Sequence, residues 1–261
     1  MSEFSGPDDY QKHFDPKAYL TAFFTMTVNA KENEFLQFVL KHLAQIFNSG
    51  QVKGETLIDI GTGPTIHQLL SACEAFENII ASDFTDKNRE EFEAWLTNQP
   101  GAFDWSPVVK HVCQLEGDRI SWTEKEAHLR KAIKQVLKCD VLKSNPMDPV
   151  VLPQADCVLS SECLEGACKD LGAYDTALKN ISTLLKPGGH MVLVSPLECP
   201  YYMVGDIKFS SLFVTEASIR ESLSRAGFVI EKLEKAKTSE NFWEGASELS
   251  NYLVLVARKN A

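Results

Sequence analysis

The sequence predicts one α/β domain built on a doubly wound, mostly parallel sheet. Short apolar runs alternate with helical patterns through most of the 261 residues, an order typical of parallel sheets with helices on both faces. The first run ends in a glycine-containing turn at 61–63, and the last two runs, 228–233 and 252–257, look like paired strands. We therefore expect a C-terminal antiparallel hairpin beside the parallel strands.

The N-terminal half begins with an aromatic-rich stretch, residues 1–30, in which no regular period is visible. Residues 31–48 predict a helix, because apolar residues recur near 3.6-residue spacing and Gly50 follows the end. The next elements are predicted, in chain order, as a strand at 57–61, a helix at 65–76, a strand at 79–84 and a helix starting at 90–96, with Trp105 in the loop after it.

The C-terminal half continues this alternation. Residues 124–138 predict a charged amphipathic helix with Leu129 and Ile133 on its apolar face. Thr215 is suited to cap a helix that Gly227 ends. The other elements are predicted as a strand at 155–161, a helix near 172–185, a turn at 186–189 and a strand at 190–194.

Charge and composition exclude several classes of partner. The formal net charge is -10, and an acidic surface attracts neither phosphate backbones nor anionic lipid. The N-terminal stretch MSEFSGPDDYQKHF lacks the basic and apolar regions of a signal peptide, and no apolar run reaches membrane-spanning length. The seven cysteines include no C-x-x-C pair and predict reduced, mostly buried thiols. We therefore expect a cytoplasmic protein without nucleic-acid or membrane partners.

A glycine turn and an acidic residue after the first two strands indicate a nucleoside site. Gly61 and Gly63 remove side chains where the backbone must approach a ligand. Asp83 ends the second strand, where a carboxylate can accept both ribose hydroxyls; a solvated strand-end aspartate is the alternative. Asn88 is either a helix cap or a second ribose contact. Asp140 is either an adenine contact or another strand-end carboxylate.

Several motifs occur in a fixed order: DIGTGPT, SDFTDKN, KCDV, ADCVLSS, and LLKPGG before a strand. This order resembles the class I methyltransferases, which are Rossmann-like enzymes that use S-adenosylmethionine. More narrowly, nearly the whole chain resembles the nicotinamide, phenylethanolamine and indolethylamine N-methyltransferases. The supporting segments are YQKHFDPKAYL, LIDIGTGPTIHQLLSACE, FDWSPVV, KQVLKCDV, LKPGGH and YYMVGDIKFSSL.

The resemblance implies a single methyltransferase domain over residues 1–261, with residues 1–50 forming an N-terminal helical lid over both ligands. It implies S-adenosyl-L-methionine as the cofactor, a small amine or pyridine as the substrate, and we expect a monomer. The residues implied in cofactor binding are Tyr19 as a general contact, Gly61, Thr62, Gly63 and Thr65 for the methionine part, Asp83 and Asn88 for ribose, and Asp140 with Val141 beside adenine. The wall facing the methyl group is implied to include Ser161, Ala167, Tyr202 and Ser211.

Five positions depart from the pattern of the family. Phe24 stands where a tyrosine commonly reaches the cofactor carboxylate, and we expect Phe24 to pack on the cofactor without that hydrogen bond. His67 also replaces a common tyrosine; a lone histidine on a helix is more often structural. Ser195 and Cys199 replace acids that relatives use to hold their substrates, and Glu162 stands where relatives carry an apolar residue. Ser195 remains a predicted substrate contact.

The acids near the predicted site indicate an amine as the methyl acceptor. An alkylamine has a pKa of about 10 and is mostly protonated, so its pocket benefits from a carboxylate that takes the proton. Glu165 is the first candidate and Glu198 the second, each with a solvated surface glutamate as the alternative. Glu162 is either a third acid or a helix-start residue. We expect an arylalkylamine such as an indolethylamine, with nicotinamide as the alternative.

Other functions remain open as alternatives. A nicotinamide-cofactor oxidoreductase is disfavoured because Ile66 stands where G-x-G-x-x-G requires glycine, and because of the terminal strand pair. A nucleic-acid methyltransferase is disfavoured by charge and by SSEC at 160–163 in place of [N/D]-P-P-[Y/F]. A thioether methyltransferase and a non-catalytic cofactor-binding protein are the further possibilities.

Overall fold

The structure is a computed structural model that describes residues 4–25, 33–239, 246–249 and 251–260. The helices are α1 (Pro7–His13), α2 (Pro16–Phe24), α3 (Glu34–Asn48), α4 (Asp86–Leu96), α5 (Ser106–Leu115), α6 (Trp122–Ala132), α7 (Leu164–Ala167), α8 (Leu171–Ser182) and α9 (Glu216–Arg225). The strands are β1 (Gly54–Ile60), β2 (Phe76–Asp83), β3 (Ile133–Lys138), β4 (Ala155–Ser161), β5 (Leu185–Leu197), β6 (Tyr201–Val204), β7 (Ile207–Ser210), β8 (Phe228–Lys237) and β9 (Asn251–Lys259).

Seven strands form one twisted sheet in the order β3-β2-β1-β4-β5-β9-β8. The strands β1 to β5 pair in parallel, whereas β9 pairs antiparallel with both β5 and β8. The predicted mostly parallel sheet with a C-terminal antiparallel strand pair is confirmed. Because the strand order reverses between β1 and β4, the carboxyl ends of β1, β2 and β4 open onto a crevice suited to a ligand.

The central strands are apolar on both faces because helices cover both sides of the sheet. Leu57 of β1 belongs to a core cluster shared with α3, α5 and α6. Its neighbour Ile58 belongs to a second cluster, shared with α8 and α9. Successive side chains of a strand point to opposite faces, so the continuous apolar run of β1 contributes to both halves of the core.

Local capping fixes where the helices near the site begin. Asp15 accepts hydrogen bonds from the backbone N–H groups of Lys17 and Ala18 at the start of α2. Thr215 and Ser218 form a capping box at the start of α9, and Gly227 follows its end with a φ of 83°. The start and stop predicted for this helix are confirmed.

Two predicted helices are wrong in part. Residues 65–76 contain two single 3₁₀ turns, His67–Leu69 and Ala72–Glu74, instead of a continuous helix. The helix predicted over 124–138 ends at Ala132, and the chain continues as β3. Val136 and Leu137 pack into opposite core clusters, so the apolar residues after 132 follow the two-residue period of a strand.

Several elements of the structure were not predicted. The stretch 1–30, expected to be irregular, contains α1 and α2, both of which begin at a proline. The helix α5 follows Trp105 directly, and β6 pairs with β7 in a separate two-stranded sheet. Residues 31 and 32 of the helix predicted at 31–48 lie outside the described residues; α3 covers the remainder from Glu34.

Other expectations of composition can be compared with the described residues. All seven cysteines are free thiols, and five of them are buried. In the described ranges, no helix has the length and apolarity needed to cross a membrane. Nor do these ranges contain a group of three or more His, Cys, Asp or Glu side chains that could hold a metal ion.

Candidate active site

One cavity lies at the carboxyl ends of β1, β2 and β4, beneath α1 and α2. Most of the residues predicted for the cofactor and the methyl acceptor share its lining. These are Tyr19, Phe24, Gly61, Thr62, Gly63, Thr65, Asp83, Asn88, Asp140, Val141, Ser161, Glu165, Ala167, Tyr202 and Ser211. Side chains from distant parts of the chain therefore meet at the edge of the sheet where the sequence places a ligand.

The carboxylate of Asp83 joins the first two strand ends of the site. Its Oδ2 accepts the backbone N–H of Gly63 at 2.8 Å. Its Oδ1 accepts the backbone N–H and the hydroxyl of Thr85 at 2.9 and 2.8 Å, and the Asn88 amide at 3.0 Å. Each carboxylate oxygen has two lone pairs, so Oδ2 can still accept a hydroxyl from a ligand while protein donors fix the side chain.

The turn after β1 requires glycine for two physical reasons. Gly61 has a φ of 71°, and Gly63 has a φ of 61°, a region that L-residues with a Cβ adopt at a cost. At Gly61, an added Cβ would overlap Sγ of Cys163. The turn can therefore approach a ligand closely, as expected from the sequence.

A buried acid supports this turn from behind. Asp59 is fully buried, and its Oδ2 accepts the Thr62 hydroxyl at 2.8 Å and the Gln68 amide at 2.9 Å. Burial raises the pKa of Asp59 to about 7, against the lowering effect of these two donors. Asp59 lies outside the cavity lining, so its role is to hold the shape of the turn.

The loop after β3 brings a second acid to the cavity. Asp140 accepts the backbone N–H of Leu142 at 3.0 Å through Oδ1. The carbonyl of Val141 accepts the amide of Asn180 at 3.0 Å, which ties the loop to α8. Asp140 and Val141 thus line the cavity beyond Asp83, where the resemblance places adenine.

Aromatic residues of α1 and α2 cover the cavity. The hydroxyls of Tyr10 and Tyr202 share a hydrogen bond of 2.7 Å. The Phe14 ring packs on Tyr19 and Phe209, with centroid separations of 5.3 and 5.5 Å. These contacts attach the N-terminal helices to the small β6–β7 sheet.

Phe24 and His67 occupy one end of the cavity. The His67 ring lies 4.8 Å from the Phe24 ring and 6.3 Å from the Trp105 ring, between centroids. His67 is buried, and neither of its ring nitrogens meets a hydrogen-bond partner within the described part of the chain. Burial lowers the pKa of His67 to about 3, so the imidazole is neutral at pH 7.

Glu165 is a buried acid in the lining of the cavity. It lies on the short helix α7 and is 2% exposed. Ser195 donates its hydroxyl to Oε1 of Glu165 at 2.5 Å, while Oε2 has no hydrogen-bond partner among the described residues. Burial raises the pKa of Glu165 to about 7, and the Ser195 hydrogen bond opposes that rise. A carboxyl with this pKa can exchange a proton near neutral pH.

Glu162 is a second acid in the same lining. It follows β4 with a φ of 54°, in the left-handed region. Its Oε2 accepts the Tyr19 hydroxyl at 3.5 Å, and Oε1 is buried without a partner in the ranges described. Burial, then the charge of Glu165, raises the pKa of Glu162 to about 8. Cys163 occupies the N-cap of α7, so Glu162 lies before the helix start and acts as a cavity acid.

Two predicted site residues lie elsewhere. Ser195 is fully buried behind Glu165 and is not part of the cavity lining, because its position on β5 directs its hydroxyl to that carboxylate. Glu198 is exposed and accepts the Asn251 amide at 3.4 Å. The backbone after β5 turns at Glu198 with a φ of 55°, and its side chain does not line the cavity.

Sequence reasoning assigned no individual role to several residues of the lining, among them Tyr10, Phe14 and Thr85. Tyr10 and Phe14 are four residues apart in an aromatic stretch, which is the spacing of one helix face. Thr85, which donates twice to Asp83, follows the strand end at a distance typical of a turn. In both cases the signal was present in the local spacing of the sequence.

Comparison with known sequences identifies relatives over nearly the whole chain. The model of the NNMT/PNMT/TEMT family matches residues 2–260. The chain is 49% identical to the nicotinamide N-methyltransferase of Sus scrofa, over 99% of this chain and 97% of the relative. It is 46% identical to the indolethylamine N-methyltransferase of Oryctolagus cuniculus, over 98% and 97%, and 39% identical to the phenylethanolamine N-methyltransferase of Homo sapiens, over 96% and 90%.

Comparison with solved structures supports the fold. Magnesium protoporphyrin IX methyltransferase from Synechocystis PCC 6803 with bound SAM has a TM-score of 0.59 and 14% identity, covering 97% of this chain and 94% of that one. The [4+2]-cyclase SpnF has a TM-score of 0.62 and 14% identity, covering 100% and 98%. At these identities the likeness concerns the arrangement of strands and helices.

Proposed function

The chain belongs to the NNMT/PNMT/TEMT family of S-adenosylmethionine-dependent N-methyltransferases, and from this premise we propose that it methylates the nitrogen of an arylalkylamine. The single observation that carries this choice is the buried carboxyl group of Glu165. It lines the cavity, retains an unpartnered oxygen within the described residues and has a pKa raised to about 7.

The residues around the glycine turn are proposed to hold the cofactor. Gly61 and Gly63 would carry its methionine part, Asp83 and Asn88 the ribose, and Asp140 the adenine. The remaining acceptor capacity of Asp83 and the absence of side chains at the turn support this fit. When bound, the cofactor would supply the methyl group of its sulfonium. A nucleophile in line with the C–S bond would take that methyl group, and the sulfur would leave as a thioether.

The part of the cavity lining that contains Glu165 is proposed to prepare the amine. An alkylammonium has a pKa of about 10 and no free lone pair. Oε2 of Glu165 would accept one of its protons, which frees the nitrogen lone pair for attack. Ser195 would hold the carboxylate in place through Oε1. The apolar and aromatic lining from α1 and α2 would exclude water from the reacting nitrogen.

Nicotinamide is the second candidate substrate, favoured by the high identity to a nicotinamide N-methyltransferase. Its pyridine nitrogen has a lone pair at neutral pH and needs no proton acceptor. The hydroxyl of Ser195, however, is already engaged with Glu165 and does not face the cavity. The cavity therefore provides an acceptor for an ammonium group in Glu165, whereas the Ser195 hydroxyl is not available to a carboxamide.

The test is kcat/KM for tryptamine and for nicotinamide in the wild type and in Glu165→Gln. We expect the substitution to lower the value for tryptamine by roughly 10²-fold, as for loss of a general base, and to affect nicotinamide far less. Glu77→Gln is the matched control, because Glu77 is exposed near the start of β2. Equal losses for both substrates, or a wild-type preference for nicotinamide, would refute the amine proposal.

A further inference from the structure

We propose that Glu162 and Glu165 together form a two-carboxylate seat for the ammonium group of the substrate, and that Glu162 makes the enzyme select cationic over neutral aromatic acceptors. This inference rests on the proposed function and deepens it, because it adds a second acid and states its task. It starts from two buried oxygen atoms, Oε1 of Glu162 and Oε2 of Glu165, which lack hydrogen-bond partners across the ranges described.

Both oxygens belong to residues of the same cavity wall. Glu162 ends the segment that leaves β4, and Glu165 lies one residue into α7, three positions later. Both residues line the one cavity, and the charge of Glu165 contributes to the raised pKa of Glu162. A buried acceptor without a donor is destabilising, and a ligand with several N–H groups seated between the two acids would satisfy both oxygens.

The lining provides no protein cation for these acids. The described residues around the cavity include neither lysine nor arginine, and their one histidine, His67, is neutral at pH 7. Buried carboxylates are normally paired with a cation or held protonated. A substrate ammonium, with three donors in a compact charge, fits this unpaired site; a neutral ring does not.

The two acids have different supports, which assign them different tasks. Ser195 holds Oε1 of Glu165 at 2.5 Å. Glu165 would take the proton from R–NH₃⁺, giving R–NH₂ and a neutral carboxylic acid. Glu162 accepts the Tyr19 hydroxyl at 3.5 Å. Once Glu165 is protonated, its charge no longer raises the pKa of Glu162, so Glu162 would be the ionised acid beside the nitrogen. As the N–C bond forms and the C–S bond breaks, the product R–NH₂⁺–CH₃ regains a positive charge, which the Glu162 carboxylate balances.

The experiment compares two probes that share an indole-ethyl frame. Tryptamine carries an ammonium, and tryptophol carries a neutral hydroxyl at the same position. Calorimetry with S-adenosylhomocysteine present measures both dissociation constants without turnover. We expect the wild type to prefer tryptamine by at least about 10-fold, and Glu162→Gln to weaken tryptamine by about 10-fold while tryptophol changes less than about 2-fold, the scale of one charge-assisted hydrogen bond. Glu77→Gln should leave both constants unchanged.

A pH series on the wild type keeps the proposal testable if the variant does not fold. Tryptamine stays protonated up to about pH 10, so its affinity should rise between pH 6 and 8 as the acids ionise, while tryptophol stays flat. Glu165 on α7 and Tyr19 on α2 act directly on Glu162, and Cys163 is its neighbour in the chain. Tyr10 on α1 and Asp83 at the end of β2 line the same cavity. The tyrosines and Cys163 have raised pKa values and remain protonated over this range.

The outcomes separate this proposal from the proposed function. The two-carboxylate seat is wrong if tryptamine is methylated but Glu162→Gln still binds tryptamine more tightly than tryptophol by the wild-type ratio. It is also wrong if the affinity of the wild type for tryptamine does not rise between pH 6 and 8. If no amine is methylated while the cation preference still depends on Glu162, the seat stands and the arylalkylamine activity is wrong.

Discussion

Gly63 donates its backbone N–H to Oδ2 of Asp83 across 2.8 Å, so the turn after β1 and the acid that ends β2 form one rigid unit. The loop proposed to carry the methionine part of the cofactor therefore sets the position of the acid proposed to hold its ribose.

We expect Asp83→Ala to weaken S-adenosylmethionine binding by roughly 1.5–3 kcal/mol, the scale of a lost hydrogen bond to a charged group. The substitution also frees the donors of Thr85 and Asn88 that now hold the carboxylate. Isothermal calorimetry measures the effect, with Glu90→Ala on the exposed face of α4 as the control. Unchanged affinity would remove Asp83 from the ribose site.

The two glycines of the turn should differ in their cost to stability. In Gly63→Ala, the new Cβ meets no atom of the described residues within 4 Å, so the substitution should lower the free energy of unfolding by about 1–2 kcal/mol through its positive φ alone. Gly61→Ala places Cβ against Sγ of Cys163 and should cost about 1–3 kcal/mol more. Urea denaturation of the cofactor-free protein measures both values. Cys163→Gly removes both Sγ and Cβ, the two atoms that the new Cβ would overlap. In the Gly61→Ala background it should recover part of the loss, measured against Cys163→Gly alone; no recovery would contradict the assigned clash.

Phe24→Tyr should tighten cofactor binding by about 1 kcal/mol, because it adds one neutral hydrogen bond toward the cofactor carboxylate. Since the pKa of the neighbouring His67 is lowered to about 3, the gain should be constant between pH 5 and 9. Calorimetry at the two ends of this range checks both statements. Equal or weaker binding would mean that the new hydroxyl points away from the cofactor.

Ser195→Ala should shift the pH dependence of amine methylation. The Ser195 hydroxyl stabilises the ionised form of Glu165 and lowers its pKa, so its removal should raise that pKa above about 7. The rate with tryptamine depends on the ionised acid, and the acidic limb of kcat/KM should therefore move to higher pH. Ser195→Thr retains the hydroxyl and should keep the limb near its original place. A uniform loss of rate without a shift would assign Ser195 a purely structural role.

The stability of the ligand-free protein should fall as pH rises through the window set by Glu162. Its folded-state pKa, about 8, lies above the ordinary value of 4.5, so the folded state binds more protons between these values. The contribution of Glu162 to the free energy of unfolding is therefore complete below about pH 4.5 and is lost as the pH rises towards 8. Glu162→Gln should flatten the curve by about 5 kcal/mol at most across this range. Parallel curves for wild type and variant, measured by urea denaturation, would show that Glu162 is not held in this environment.

The sheet could be predicted from sequence because its central strands combine a short apolar run with a turn residue at the end. Leu57 and Ile58 serve opposite faces of the same strand, and such a continuous apolar run is typical of a parallel strand buried on both faces. The helix predicted over 124–138 extended too far because its last apolar residues fit a helix as well as a strand. Apolar residues at 133, 136 and 137 satisfy a helical face, and only pairing of Ile133 with Ile79 on β2 selects the strand.

The cofactor half of the site was predictable in the same way, since Gly61, Gly63 and Asp83 follow strands directly. The substrate half depends on side-chain directions that spacing does not determine. A left-handed backbone at both Glu162 and Glu198 leads to opposite results: one side chain enters the cavity, and the other is exposed. Ser195 was expected to face the substrate, but its register on β5, opposite Leu253, directs it to Glu165.

The attachment of the N-terminal helices to β6 and β7 has a consequence for the pace of turnover. Ser5 and Ser210 exchange two hydrogen bonds of 2.8 and 3.0 Å, and Tyr10 meets Tyr202 nearby. In the proposed function, a ligand beneath these helices would leave by breaking these hydrogen bonds while the seven-stranded sheet stays intact. Movement of a chain segment through solvent is opposed by friction, so a catalytic cycle limited by this opening slows in proportion to the viscosity of the medium, whereas one limited by bond formation does not.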